Sequence, residues 1–84
     1  MNYQSDTIGQ IVTEAREKKN WKTQRILAVK AKVDPVYICN VERDRLIPSI
    51  EIGAKIAYIL ELDLKNFLFL ILRTKYPELG HIFK

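Results

Sequence analysis

The sequence predicts an all-α fold built from five short helices. Apolar residues recur at helical spacing through most of the chain, and a residue suited to helix capping precedes each apolar segment. The chain has only three glycines and three prolines, too few for a turn-rich β-sandwich. With 84 residues and a hydrophobic fraction of 48%, it can bury a single core without a metal or a disulfide.

The first two helices are predicted from apolar spacing and from their starting residues. Helix 1 is expected from about Thr7 to Lys19, with Asp6 as its N-cap. Helix 2 is expected to begin after Thr23, which can cap it, and to run to about Lys30. The residues expected to face the core are Ile8, Ile11, Val12 and Ala15 of helix 1 and Leu27 and Ala28 of helix 2.

Helix 3 has the most definite start in the chain. Asp34 is a preferred N-cap, because its carboxylate accepts a hydrogen bond from an unpaired backbone N–H of the first turn. Pro35 is favoured at the next position, where φ is already helical and no N–H is needed. We expect this helix to follow helix 2 after a short turn, to run to about Arg43 and to bury Ile38 and Val41.

The last two helices complete one domain, assigned to residues 1–75, which a C-terminal tail, 76–84, follows. Ser49 is expected to cap helix 4, and Asp63 to cap helix 5, which runs from Leu64 to about Lys75. Tyr76-Pro77 ends helix 5, because proline disfavours a helical residue before it. The apolar run 67–72 is too short to set a period, so a strand is the alternative there. The apolar face of helix 4 is Ile52, Ile56, Ile59 and Leu60.

The positive charge is concentrated in one part of the chain. The net charge is +4, but residues 18–45, which contain helices 2 and 3, carry +5 and the rest of the chain carries −1. Such asymmetry is typical of a surface that faces phosphate groups. The alternative is a solvated polar face with no partner.

Enzymes and membrane proteins are not favoured by the composition. One histidine (His81) and one cysteine (Cys39) form neither a metal cluster nor a nucleophile–base pair, and phosphate-binding glycine loops are absent, so we expect no enzyme activity, cofactor or small-molecule ligand. The longest apolar run has six residues, against the roughly 20 that a membrane helix needs. A single cysteine and no signal segment favour a cytoplasmic protein.

Several segments of the chain match one known sequence pattern in a single register. They are Ile8–Arg16 (IGQIVTEAR), Thr23-Gln24, Leu27-Ala28, Val33-Asp34, Ile38, Val41-Glu42, Pro48, Ile50, Ile56-Ala57 and Leu60. In this register the chain is similar, almost end to end, to the Cro/CI-type (XRE) helix-turn-helix repressors of phages, plasmids and bacteria. The resemblance implies a lambda-repressor-like DNA-binding domain whose helices 2 and 3 form the helix-turn-helix. A narrower similarity to restriction–modification controller proteins rests on Tyr37-Ile38, Glu42-Arg43 and Arg45.

The resemblance assigns helix 3 to the major groove, with its first residues against the base edges. Asn40 is suited to adenine, with which it can form two hydrogen bonds, and Val36 is suited to a thymine methyl group. Tyr37 reaches either a base or a phosphate. The alternatives are that Asn40 is merely solvated and that Val36 fills the core. The residues assigned to base readout are Pro35, Val36, Tyr37 and Asn40.

Phosphate contacts are expected from a second set of residues around the helix-turn-helix. Gln24 resembles the family's phosphate-binding glutamine, which acts beside the N–H groups at the start of helix 2. Glu42 is instead expected to pair with Arg16 of helix 1 and to support the fold. The residues assigned to phosphate are Thr23, Gln24, Lys32, Arg43 and Arg45.

The chain departs from the family pattern at three glycine-related positions. Lys32 and Asp44 stand where the family usually has glycine, so each is expected either in a left-handed conformation or in an altered turn. Gly53 stands where a large core residue is usual, and a bulky neighbour such as Trp21 is expected to fill the gap.

The run 67–72 (FLFLIL) in helix 5 is apolar on all sides, which predicts a second contact surface. Four of its residues (Leu64, Phe67, Leu68 and Ile71) are expected to pack on the domain. The remaining apolar residues are expected to form a homodimer interface. Leu79, Ile82 and Phe83 of the tail are expected either to extend this interface or to fold back over the domain. The alternative is that the tail covers the extra apolar residues within one chain. The residues assigned to the dimer interface are Phe69, Leu70, Leu72 and Tyr76.

Together these features predict a sequence-specific regulator that binds a palindromic double-stranded DNA operator as a homodimeric repressor or autoregulator. The alternative is a protein–protein adaptor of the same fold, which binds another regulator through its hydrophobic C-terminal segment. The apolar Pro35-Val36 pair supports this alternative, because it offers bases few hydrogen-bond donors.

Overall fold

The computed structural model describes residues 6–78, which form five α-helices and no strand. The predicted all-α fold is therefore confirmed for these residues, and the apolar run 67–72 is helical. The helices are α1 (Ile8–Lys18), α2 (Gln24–Ala31), α3 (Pro35–Glu42), α4 (Ile50–Leu60) and α5 (Leu64–Lys75).

Side-chain caps define most of the helix starts. The carboxylates of Asp34 and Asp63 and the hydroxyl of Ser49 each accept a hydrogen bond from a backbone N–H in the first turn, as predicted. Two predictions were wrong in detail. Thr7, and not Asp6, caps α1, in a reciprocal capping box with Gln10. Thr23 occupies the N-cap position of α2, but its side chain makes no capping hydrogen bond.

The ends of α1 to α4 share one geometry that local sequence does not indicate. In each, a residue with positive φ donates its N–H to the carbonyl three residues back, and the next residue donates to the carbonyl five back. This is the Schellman motif, which usually places glycine at the left-handed position. Here the four left-handed residues are Asn20, Lys32, Asp44 and Glu61.

The core lies where all five helices meet. Trp21, from the α1–α2 connection, and Val33, from the α2–α3 turn, pack against its edge. Arg16 is the polar side chain found within it. The buried apolar residues are Ile8, Ile11, Val12, Leu27, Ala28, Ala31, Ile38, Val41, Ile56, Ala57, Leu60, Phe67, Leu70 and Ile71.

Gly53 lets α5 approach α4 closely. A β-carbon at this position would overlap the end of the Ile71 side chain. The predicted gap is therefore filled by Ile71, and the expectation that Trp21 fills it was wrong. Because Ile71 is fully buried, this contact fixes the position of α5 on the domain.

Candidate nucleic-acid interface

The α2–α3 unit presents α3 on the outside of the domain. Only residues 32–34 connect the two helices, which pack directly against each other. The inward side of α3 is defined by Ile38 and Val41, both fully buried. Because an α-helix has 3.6 residues per turn, residues on the side opposite Ile38 and Val41 point away from the core.

We define the α3 outer face as Val36, Cys39, Asn40 and Arg43, which follow helical spacing on the side away from the core. Val36 is 63% exposed, so the alternative that it fills the core was wrong. Asn40 and Cys39 are half-buried, and Arg43 is exposed. Cys39 was not predicted on this face, although its position three residues after Val36 would have indicated it.

Pro35 and Tyr37 lie at the margins of this face. Pro35 is exposed in the first turn of α3. Tyr37 is half-buried against the core, and its hydroxyl oxygen accepts a hydrogen bond of 3.2 Å from the backbone N–H of Ser49. The hydroxyl of Tyr37 is thus directed at the start of α4 and not along the α3 outer face. A tyrosine hydroxyl that accepts one bond can still donate its own proton to a phosphate.

The residues assigned to phosphate lie before and after α3 in the sequence. Thr23, Lys32, Arg43 and Arg45 are all exposed. Within residues 6–78, none of the three cations forms an ion pair with a carboxylate. Their charge is therefore not neutralised by the described part of the protein.

Gln24 belongs to a buried polar network that joins α1, α2 and α3. Its side-chain nitrogen donates to Glu42 Oε1 at 2.9 Å. Arg16 binds the same carboxylate, through Nε at 2.7 Å and Nη2 at 3.1 Å, which confirms the predicted pair. A third donor of Arg16, Nη1, binds the carbonyl of Trp21 at 2.6 Å. One N–H of the Gln24 amide is thus engaged, and a primary amide retains a second for a phosphate.

The Arg16–Glu42 ion pair in this network is shielded from water, and it constrains the position of α3 relative to α1. The side chains of Arg16 and Glu42 are 8% and 4% exposed. The hydrogen bond to Glu42 raises the pKa of Arg16 above its ordinary value, against the opposing effect of burial. The charged form of Arg16 is therefore favoured, and its pair with Glu42 ties the C-terminal end of α3 to α1.

The α5 helix differs from the prediction at two positions. Leu70, predicted at the dimer interface, is buried in the core at 6% exposure, and Leu64, predicted to pack on the domain, is 48% exposed. We define the α5 outer stripe as Phe69, Leu72 and Tyr76, which follow one another at spacings of three and four residues. Phe69 and Leu72 are half-buried and Tyr76 is exposed. The predicted contributions of the tail (Leu79, Ile82, Phe83) lie outside the described residues.

The described residues were also compared with the requirements of a membrane-spanning helix and of a metal site. No helix in residues 6–78 combines the length and the apolar character that crossing a membrane requires. In the same residues, no group of three or more His, Cys, Asp or Glu side chains is arranged to hold a metal ion. Comparison of the chain with protein-family models, with curated proteins and with solved structures found no match.

Proposed function

We propose that this protein is a cytoplasmic, homodimeric regulator that binds double-stranded DNA in a sequence-specific manner through the α3 outer face. The observation that carries the proposal is the combination of an exposed helix face with cations that have no ion-pair partner within residues 6–78. Lys32 precedes α3, and Arg43 and Arg45 follow it. A protein that binds a phosphate backbone needs such uncompensated charge on either side of the element that reads the bases.

The α3 outer face has the chemistry of direct base readout. An α-helix fits the major groove of B-DNA, where each base pair has a distinct pattern of donors, acceptors and methyl groups. Val36 offers an apolar contact for a thymine methyl group, and Asn40 offers a donor and an acceptor for adenine. We assign Lys32, Arg43 and Arg45 to phosphates, together with Thr23 and the second N–H of Gln24.

The α5 outer stripe supports a homodimer. A two-fold dimer presents two recognition helices, which must lie about 34 Å apart to read successive turns on one side of DNA. Phe69 and Leu72 lie three residues apart on α5, and Tyr76 at its C-cap extends the apolar surface that they could present to a second helix. A symmetric dimer predicts an operator with two inverted half-sites.

Selection from a pool of randomised duplexes tests the proposal and identifies the operator in the same experiment. The expected result is enrichment of one inverted repeat, which the protein binds with an affinity that falls steeply as salt rises, because bound counterions are released. Recovery of unenriched random sequence, or no binding at low salt, would refute it. An RNA duplex of the selected sequence is the matched control, because its deep and narrow major groove does not admit the α3 side chains.

The adaptor function is the second candidate, favoured by the apolar α5 outer stripe and by the few donors at the start of α3. The two candidates differ in the assembly state of the purified protein. Light scattering after size-exclusion chromatography should give the mass of a dimer for the DNA-binding regulator. A monomer that binds no duplex would favour the adaptor.

A further inference from the structure

Asp44 forms long-range hydrogen bonds that its neighbours in the sequence do not predict. Its Oδ1 accepts a hydrogen bond of 2.8 Å from the backbone N–H of Gly9, and its Oδ2 accepts one of 2.7 Å from the hydroxyl of Thr7. These partners lie 35 and 37 residues away in the chain. Asp44 thus joins the loop after α3 to the first turn of α1.

The start of α1 is suited to receive this carboxylate. The first N–H groups of a helix have no partner within it, and the N–H of Gly9 is one of these. The first turn of α1 has no acidic residue of its own, so Asp44 provides the negative charge that a helix N-terminus favours. Gly9 permits the approach, because a β-carbon there would overlap the carbonyl oxygen of Glu42 and lie 2.9 Å from Asp44 Oδ1.

The backbone of Asp44 also sets the course of the loop. It adopts a left-handed conformation with φ of 57°, and the N–H of Arg45 then bonds to the carbonyl of Asn40 at 2.9 Å. Asp44 lies between Arg43 and Arg45, which are both exposed. Any shift of Asp44 relative to α1 therefore moves both arginines.

We propose that Asp44 is a positioning residue that holds the 43–45 loop against α1 and so orients Arg43 and Arg45 for the DNA backbone. This inference rests on the proposed DNA-binding function and deepens it. The carboxylate itself does not approach DNA, which would repel it. Its role is to keep two flanking cations in a fixed arrangement before DNA arrives, which lowers the entropic cost of binding.

The test compares Asp44→Gly with Asp44→Asn. Glycine keeps the left-handed backbone and removes both hydrogen bonds. Asparagine tolerates the same backbone, can accept from the N–H of Gly9 and can donate to the hydroxyl of Thr7. Asn20→Gly is the matched control, because it changes another exposed left-handed residue far from the loop in the chain.

Two readouts are measured on these variants. In the absence of DNA, hydrogen exchange at the Gly9 amide should be faster by about tenfold or more in Asp44→Gly. The increase should be much smaller in Asp44→Asn, which keeps the hydrogen bond and loses only the charge. With the selected duplex, Asp44→Gly should bind about tenfold more weakly, and its salt slope should fall in magnitude by about 1 to 2 because one or two phosphate contacts are lost. Asp44→Asn and Asn20→Gly should bind as the wild type does.

Asp44→Gly with wild-type affinity and salt slope would overturn the positioning role and leave the proposed function intact. Unchanged exchange at Gly9 would overturn the contact itself. If the wild-type protein binds no duplex, the DNA-binding function fails, and the positioning role fails with it.

Discussion

The α3 outer face and the α5 outer stripe are held in place by different kinds of interaction. The end of α3 is tied to α1 by charged and polar groups, through the Arg16–Glu42 pair and through Asp44. The α5 helix is held by apolar packing, above all by Ile71 against Gly53. Polar contacts fix orientation because they are directional, whereas apolar packing mainly adds stability and area. This difference suits a helix that reads DNA and a helix that binds a second copy.

The largest effect is expected from removing the buried carboxylate of the α3 region. Glu42→Ala should lower the free energy of unfolding by about 3–5 kcal/mol, because it leaves Arg16 buried and unpaired. Urea denaturation followed by circular dichroism measures this. The control is Glu61→Gln, which removes the exposed pair with Lys19 and should change stability little. Equal losses in the two variants would contradict the importance assigned to the buried network.

A smaller effect is expected from a charge on the α5 outer stripe. Leu72→Lys should weaken dimerisation by about 2 kcal/mol or more, roughly thirtyfold in Kd, because it places a cation in an apolar seam. Sedimentation equilibrium measures the change. Tyr58→Lys is the matched control, because Tyr58 is 85% exposed on α4 and lies outside the stripe. Dissociation of the control and not of Leu72→Lys would place the interface elsewhere.

Asn40→Ala tests the α3 outer face directly. We expect it to lose about 1–3 kcal/mol of binding to the selected duplex, with little change on unrelated DNA. The reason is that the amide binds a base edge, whereas non-specific affinity comes from phosphate contacts. Fluorescence anisotropy with both duplexes measures the two affinities. An equal loss on both would show that Asn40 does not read bases.

The smallest effect is a gain in stability at a helix end. Lys32→Gly should raise the free energy of unfolding by roughly 0.5–1 kcal/mol, because glycine adopts the left-handed conformation without a steric penalty. Thermal denaturation measures this gain. Asp44→Gly should show no such gain, since the same relief is offset by the loss of two hydrogen bonds. A gain at both positions would mean that the Asp44 contacts add little stability.

The helix starts were predictable because a cap acts on its own first turn. Asp34, Ser49 and Asp63 cap the helices that the sequence predicts for them. The left-handed conformation of Lys32 and Asp44 was one of the two alternatives expected at these positions from the resemblance. The Arg16–Glu42 pair also came from the resemblance and not from spacing, since 26 residues separate its members.

The packing of α5 and the orientation of Tyr37 could not be predicted in the same way. Six consecutive apolar residues have no polar position to mark the outer side, so Leu70 was assigned to the wrong face. Leu64, in the first turn of α5, was also assigned to the wrong face, because its burial depends on how α5 packs on the domain. The bond between Tyr37 and Ser49 depends on where α4 begins in space. Local sequence therefore predicts the capping residue of three of the five helices, and tertiary packing decides which side of a helix is buried.

Cys39 allows a direct test of whether the α3 outer face contacts DNA. It is the chain's one cysteine, so alkylation by iodoacetamide reports on this face alone. We predict that saturating selected duplex sharply slows alkylation of Cys39, and that it does not slow alkylation at position 58 when Tyr58→Cys is combined with Cys39→Ser. Alkylation of Cys39 at the same rate in free and DNA-saturated protein would show that the α3 outer face does not contact DNA.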